Sequence, residues 1–107
     1  MATLSTHVLD TGLGRPASGV LVALERDGVT VGHAVTDQDG RARDWGSGNP
    51  ITPGTYRLLF SVGDYFSTRK TPSFYSTITI EFIVRDDTHY HIPLLLSPFG
   101  YSTYRGS

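Results

Sequence analysis

Apolar and polar positions alternate along most of this chain, and turn residues break the alternation every 8 to 12 residues or so, the spacing of a β-sandwich or barrel. The pattern predicts strands at Leu4 to Asp10, Val20 to Glu25, Val29 to Thr36, Arg41 to Asp44, Tyr56 to Val62, Thr77 to Val84, His89 to Ser97 and Tyr101 to Arg105. Between them lie Thr-Gly-Leu-Gly-Arg-Pro at 11–16, Asp-Gly at 27–28, Asp-Gln-Asp-Gly at 37–40 and a Gly, Ser, Asn and Pro cluster at 46–54. Asp27-Gly28, set between two β-branched runs, is a two-residue hairpin signal, because a type I′ turn needs positive φ at both central positions. Gly63 to Lys70 is the one stretch that reads as a short helix or turn.

Successive strand residues face opposite sides, so each strand divides into two sets. Tyr56, Leu58, Phe60 and Val62 form one inward set, and Ile78, Ile80, Phe82 and Val84 another. In the strand after those, Tyr90, Ile92, Leu94 and Leu96 turn inward, leaving His89, His91, Pro93, Leu95 and Ser97 on the other face. That outer face is half apolar, which suits cover by another subunit better than exposure to water. The β-branched, aromatic and apolar run also continues to the final residue, so the C-terminus is expected to be built into the fold rather than frayed.

Composition narrows the classes. The 107 residues correspond to one domain spanning 1–107, with room for one modest core. Nine Lys and Arg against ten Asp and Glu leave no basic footprint for nucleic acid or an anionic membrane. There is no Cys, which removes disulfides, thiolate nucleophiles and Cys-ligated metals together. No apolar run approaches the ~18 residues of a membrane span, and the start has neither basic nor apolar signal regions. With no Ser-Lys-Leu ending either, a cytoplasmic location is expected.

Candidate chemistry rests on few residues. His89 and His91, two apart on a strand, point the same way; they read as exposed polar residues, as metal ligands, or as metal-free acid/base groups. His7 lies inside the first strand and by itself reads as structural. Arg41 and Arg43 share a face just after the Asp37 to Gly40 turn; they read as solvated or paired with Asp39 or Asp44, or as a fork for a planar oxyanion or ureide. There is no Gly-x-Ser-x-Gly elbow, no phosphate-binding Gly-rich loop and no His-Glu-x-x-His helix.

Leu-Ser-Thr-His-Val-Leu-Asp-Thr at 4–11, Gly14-Arg-Pro-Ala17, Thr36-Asp-Gln-Asp-Gly-Arg41, Gly63-Asp-Tyr-Phe66 and Tyr90-His-Ile-Pro-Leu-Leu-Leu-Ser-Pro98 together resemble the transthyretin-related 5-hydroxyisourate hydrolases. The closing Tyr104-Arg-Gly-Ser107 is the specific element, since the hormone carrier transthyretin shares the fold but not this ending. The resemblance implies an all-β fold, a transthyretin-like sandwich of two four-stranded sheets with one short helix. It also implies a homotetramer with sites in the channel between two dimers. By the same resemblance His7, Arg41 and His91 are catalytic, and His7, Arg41, Tyr104 and Ser107 bind the small-molecule substrate; Arg43 and His89 receive no role. The implied reaction is hydrolysis of 5-hydroxyisourate without metal or cofactor. Two rivals stand beside it: a non-catalytic carrier using the same channel, and a metal-dependent amidohydrolase built on His89 and His91.

Overall fold

In a computed structural model, which describes residues 1–46 and 50–107, two β-sheets pack face to face. The elements are β1 (Thr3–Asp10), β2 (Arg15–Pro16), β3 (Leu21–Arg26), β4 (Val29–Val35), β5 (Arg41–Ala42), β6 (Gly54–Phe60), α1 (Val62–Thr68), β7 (Ile78–Val84), β8 (His89–Ser97) and β9 (Gly100–Thr103). One sheet has the order β4-β3-β6-β7. The other runs β2-β1-β8-β9, and the two-residue β5 joins it as a fifth strand beside β1. Both short strands pair with β1: Leu9 and Asp10 face β2, while Thr6 and His7 face β5. Part of the predicted 46–54 turn cluster, residues 47–49, lies outside the described residues.

The predicted inward sets meet between the sheets. Tyr56, Leu58, Phe60 and Val62 are buried, as are Tyr90, Ile92, Leu94 and Leu96. Ile78 and Val84 are buried as well, with Ile80 and Phe82 partly buried against the same core. Burying a side chain of this size stabilises the fold by about 1.5–3 kcal/mol relative to leaving it exposed. The predicted hairpin also forms. Arg26 pairs with Val29 across a two-residue turn in which Asp27 and Gly28 have φ of 52° and 79°.

Three segments differ from the alternation pattern. The strand expected over Arg41 to Asp44 stops at Ala42, because the chain then turns to bury Trp45, whose indole N–H donates to the Leu4 carbonyl at 3.1 Å. Gly32 makes that approach possible: a Cβ there would lie 2.6 Å from the Trp45 carbonyl oxygen. The Arg15–Pro16 strand falls inside a stretch that reads as turn. The helix begins at Val62 and ends at Thr68, burying Val62, Tyr65 and Phe66. Tyr65 anchors it by donating its hydroxyl to the buried Asp10 carboxylate at 2.8 Å; burial, then this bond, push the phenol pKa up to about 12.

Candidate active site

The outer face of the five-stranded sheet collects most of the sequence-predicted residues, and register explains why. β1 and β8 run parallel with Thr3 opposite His89, Ser5 opposite His91, His7 opposite Pro93 and Leu9 opposite Leu95. On the other side of β1, Arg41 of β5 is opposite His7. Directly paired residues project from the same face of a sheet. Arg41, His7 and Pro93 therefore form one row across three strands, and Ser5 and His91 form the row beside it. His7 and His91 are half-buried, whereas Arg41 is exposed.

The Asp37 to Gly40 turn sets Arg41 in place. Asp37 Oδ1 accepts from the backbone N–H of Asp39 at 2.9 Å and of Arg41 at 3.0 Å. These bonds, the one from Arg41 foremost, hold the Asp37 carboxyl below its usual range. Gly40 then presses against β1: its carbonyl accepts from the Val8 N–H at 2.7 Å. Its φ is +75°, and a Cβ would lie 2.4 Å from the Val8 carbonyl oxygen. Only glycine meets both conditions. Among the described residues neither Arg41 nor Arg43 forms an ion pair.

His91 is held by a hydroxyl. Its Nδ1 lies 2.7 Å from Ser5 Oγ, which in turn lies 2.8 Å from His89 Nε2. His89 Nδ1 closes the series on Thr3 Oγ1 at 2.5 Å. The two imidazoles are near-parallel, 19° apart with centroids at 6.4 Å. The nitrogens through which His89 and His91 approach each other thus converge on a serine hydroxyl, the position a shared metal ion needs. Among the described residues no group of three or more His, Cys, Asp or Glu is arranged to hold a metal. Burial, followed by the nearby charges of Arg41, His89 and His7, lowers the His91 pKa.

The chain end approaches the same site. β9 pairs with β8 from Gly100 opposite Ser97 to Thr103 opposite Leu94, shorter than the predicted Tyr101 to Arg105. After Tyr104 and Arg105 the same register resumes, with Gly106 opposite His91 and its N–H donating to the His91 carbonyl at 2.8 Å. A Cβ on Gly106 would lie 2.5 Å from His91 Cδ2, so the tail lies directly on the ring. Tyr104 lines a pocket of about 180 Å³ with His91 and Phe82. Arg105 turns instead to the Tyr90 ring, 4.5 Å from its centroid. Ser107 is exposed. His7, Arg41 and His91 are thus brought together; Tyr104 shares with His91 a pocket at the sheet edge that also takes in Ile80 and Phe82 of the other sheet but neither His7 nor Arg41, and Ser107 follows the glycine that packs on His91. Sequence reasoning missed Ser5, Gly40 and Gly106 as parts of this arrangement, and it paired His89 with His91 without finding the hydroxyl between them; strand alternation puts Ser5 beside His7, but only the pairing of β1 with β8 puts it beside His91.

Residues 4–106 match the family described as HIUase/Transthyretin. The chain belongs to the HIUase/Transthyretin family. Within it, a 5-hydroxyisourate hydrolase of Salmonella typhimurium is 48% identical over 97% of this chain and 80% of its own. The solved structure of Klebsiella pneumoniae 5-hydroxyisourate hydrolase superposes with a TM-score of 0.92 at 42% identity, covering the whole of both chains. Sea bream transthyretin in complex with thyroxine has the same fold, with a TM-score of 0.90 at 25% identity over 97% of this chain and 94% of that one.

Proposed function

We infer that this chain is a 5-hydroxyisourate hydrolase: it opens the lactam of 5-hydroxyisourate with water, giving 2-oxo-4-hydroxy-4-carboxy-5-ureidoimidazoline in urate breakdown. The observation that carries this is the agreement between full-length similarity to 5-hydroxyisourate hydrolases and a face that gathers Arg41, His7 and His91. In the reaction the water oxygen bonds to the lactam carbonyl carbon, the C–N bond breaks, and the freed nitrogen takes a proton. His91, kept neutral by its surroundings, removes the proton from the attacking water. Arg41 offers several donors to the planar ring and stabilises negative charge developing on the carbonyl oxygen. His7, between Arg41 and Pro93, orients the water or protonates the leaving nitrogen. Tyr104 and Ser107 hold the substrate at the β9 side. None of these steps calls for a cofactor.

Four copies form the working enzyme, with each site where two dimers meet. The apolar Leu9 and Leu95 beside the polar residues on this face, both only half-buried in one copy, support that assembly, since such a surface gains from burial by another copy; Pro93 is already buried within the chain. A carrier built on the same fold gains nothing from an unpaired guanidinium and two imidazoles on the ligand-facing surface, because polar groups are costly to bury against an apolar ligand. The test is a spectroscopic assay of 5-hydroxyisourate generated in place from urate. Decay well above the spontaneous rate is expected, and a rate equal to the spontaneous one overturns the reading.

A further inference from the structure

His91 faces a problem that the acid/base reading leaves open. A histidine that takes a proton from water ordinarily becomes an imidazolium, yet this ring is half-buried beside Arg41, His7 and His89. A second positive charge there is disfavoured by desolvation and by like charge together. Its Nδ1 is not free, however. From Nδ1 an unbroken series of hydrogen-bonded atoms leads through Ser5 Oγ, then His89 Nε2 and Nδ1, to Thr3 Oγ1. The links measure 2.7, 2.8 and 2.5 Å, and the far end, His89 and Thr3, is exposed.

We propose that Ser5, His89 and Thr3 form a proton relay that lets His91 accept and return a proton at Nε2 while remaining neutral. The inference rests on the reading of His91 as the group that deprotonates water. A serine hydroxyl has one proton, so it donates to one imidazole and accepts from the other, which ties the tautomers of the two histidines together. In the resting arrangement His91 Nδ1–H donates to Ser5, Ser5 donates to His89 Nε2, and His89 Nδ1–H donates to Thr3. When water gives its proton to His91 Nε2, the Nδ1 proton passes to Ser5. The serine proton moves to His89 Nε2, the His89 Nδ1 proton moves to Thr3 Oγ1, and the threonine hydroxyl proton passes to solvent. The mirrored series now presents Nε2–H. Donation of that proton to the leaving nitrogen draws one proton back from solvent along the same path, so one water is consumed and every group returns to its first state. Ser5 and His89 act through His91 and are positioning residues.

The experiment is Ser5→Ala in the full-length protein, with Ser5→Thr as the conservative control and His89→Phe to cut the series one link further out. Imidazole nitrogen NMR of His91 reads the tautomer independently of turnover, and steady-state kinetics read its consequence. In Ser5→Ala the His91 signals are expected to shift toward the Nε2–H tautomer, and kcat to fall about tenfold or more with KM little changed. Ser5→Thr is expected to restore both, and His89→Phe to lower kcat with the His91 ring still in place. Unchanged His91 signals and unchanged kcat in folded Ser5→Ala overturn the relay. If instead the tautomer shifts in Ser5→Ala but the unaltered protein does not accelerate 5-hydroxyisourate decay, the functional reading fails and not the hydrogen-bond coupling.

Discussion

At the scale of single residues, the proposed reaction makes His91 the base, and its surroundings set the pH at which that base would work. An ordinary histidine titrates near 6.5; burial first and Arg41 second bring His91 below that. The base form therefore persists to lower pH, and the acidic limb of kcat/KM is expected to have its midpoint below about 6.5. The sign for stability follows from linkage. The unfolded chain binds a proton at this position before the folded one does, so the stability associated with neutral His91 is complete above about 6.5 and declines as pH falls toward the folded value. An NMR titration of the His91 ring checks the direction, and Arg41→Gln is expected to raise the midpoint. A midpoint at or above the ordinary value rejects this account of the site. Gly106 gives a second residue-scale prediction. Its Cβ position coincides with the His91 ring edge at 2.5 Å, so Gly106→Ala must displace the ring or the tail. Because a misplacement of about 1 Å can cost on the order of 10²-fold, activity is expected to drop by that order with the melting temperature little changed. Near-normal kcat in the alanine variant shows that the tail does not position the ring.

At the scale of elements, the Asp37 to Gly40 turn is the device that brings β5 alongside β1. Gly40→Ala places a Cβ against the Val8 carbonyl in a left-handed backbone conformation. The conformation alone costs about 1–2 kcal/mol, and relief of the clash pushes β5 away from His7. The variant is expected to melt lower and also to lose activity in the part that remains folded, because Arg41 moves with β5. A lower melting temperature with full kcat separates the turn's structural task from its placement of Arg41. This turn also shows what was legible in the sequence. Asp-Gln-Asp-Gly announces a tight turn by its residue types, and alternation in Tyr56 to Val62 and Tyr90 to Leu96 assigns the core, because both signals are local. The pairing of β1 with β8 joins residues some 86 apart in the chain and leaves no local trace. Ser5 therefore looks unremarkable in the sequence, as a polar residue alternating with buried ones, and the His89-x-His91 spacing stays open among several readings. The truncation of the expected Arg41 to Asp44 strand has the same origin: Trp45 is drawn to the Leu4 carbonyl by a contact that strand propensity does not encode. Resemblance to a family indicated His7, Arg41 and His91, but not what holds them.

At the scale of the molecule, the outer face of the five-stranded sheet combines a polar row with apolar neighbours, and the proposed tetramer uses this face for the contact between dimers. Leu9 and Leu95 stand opposite each other in register, one row beyond His7 and Pro93, and both are only half-buried in a single copy. If two dimers close over this face, Leu95 becomes fully desolvated, and a charge placed there has neither water nor a partner. Leu95→Arg leaves the inward set of β8 untouched, so each copy is expected to fold. The assembly, in contrast, is expected to fall from a tetramer to dimers in size-exclusion chromatography with light scattering. Activity per subunit should decline in parallel, and in the unaltered protein it should decline on dilution below the tetramer dissociation range. A Leu95→Arg protein that remains tetrameric excludes this face as the interface between dimers. A dimeric variant with full activity retains the interface but makes the site complete within one dimer, with Arg41, His7, His91 and the chain end sufficient in themselves.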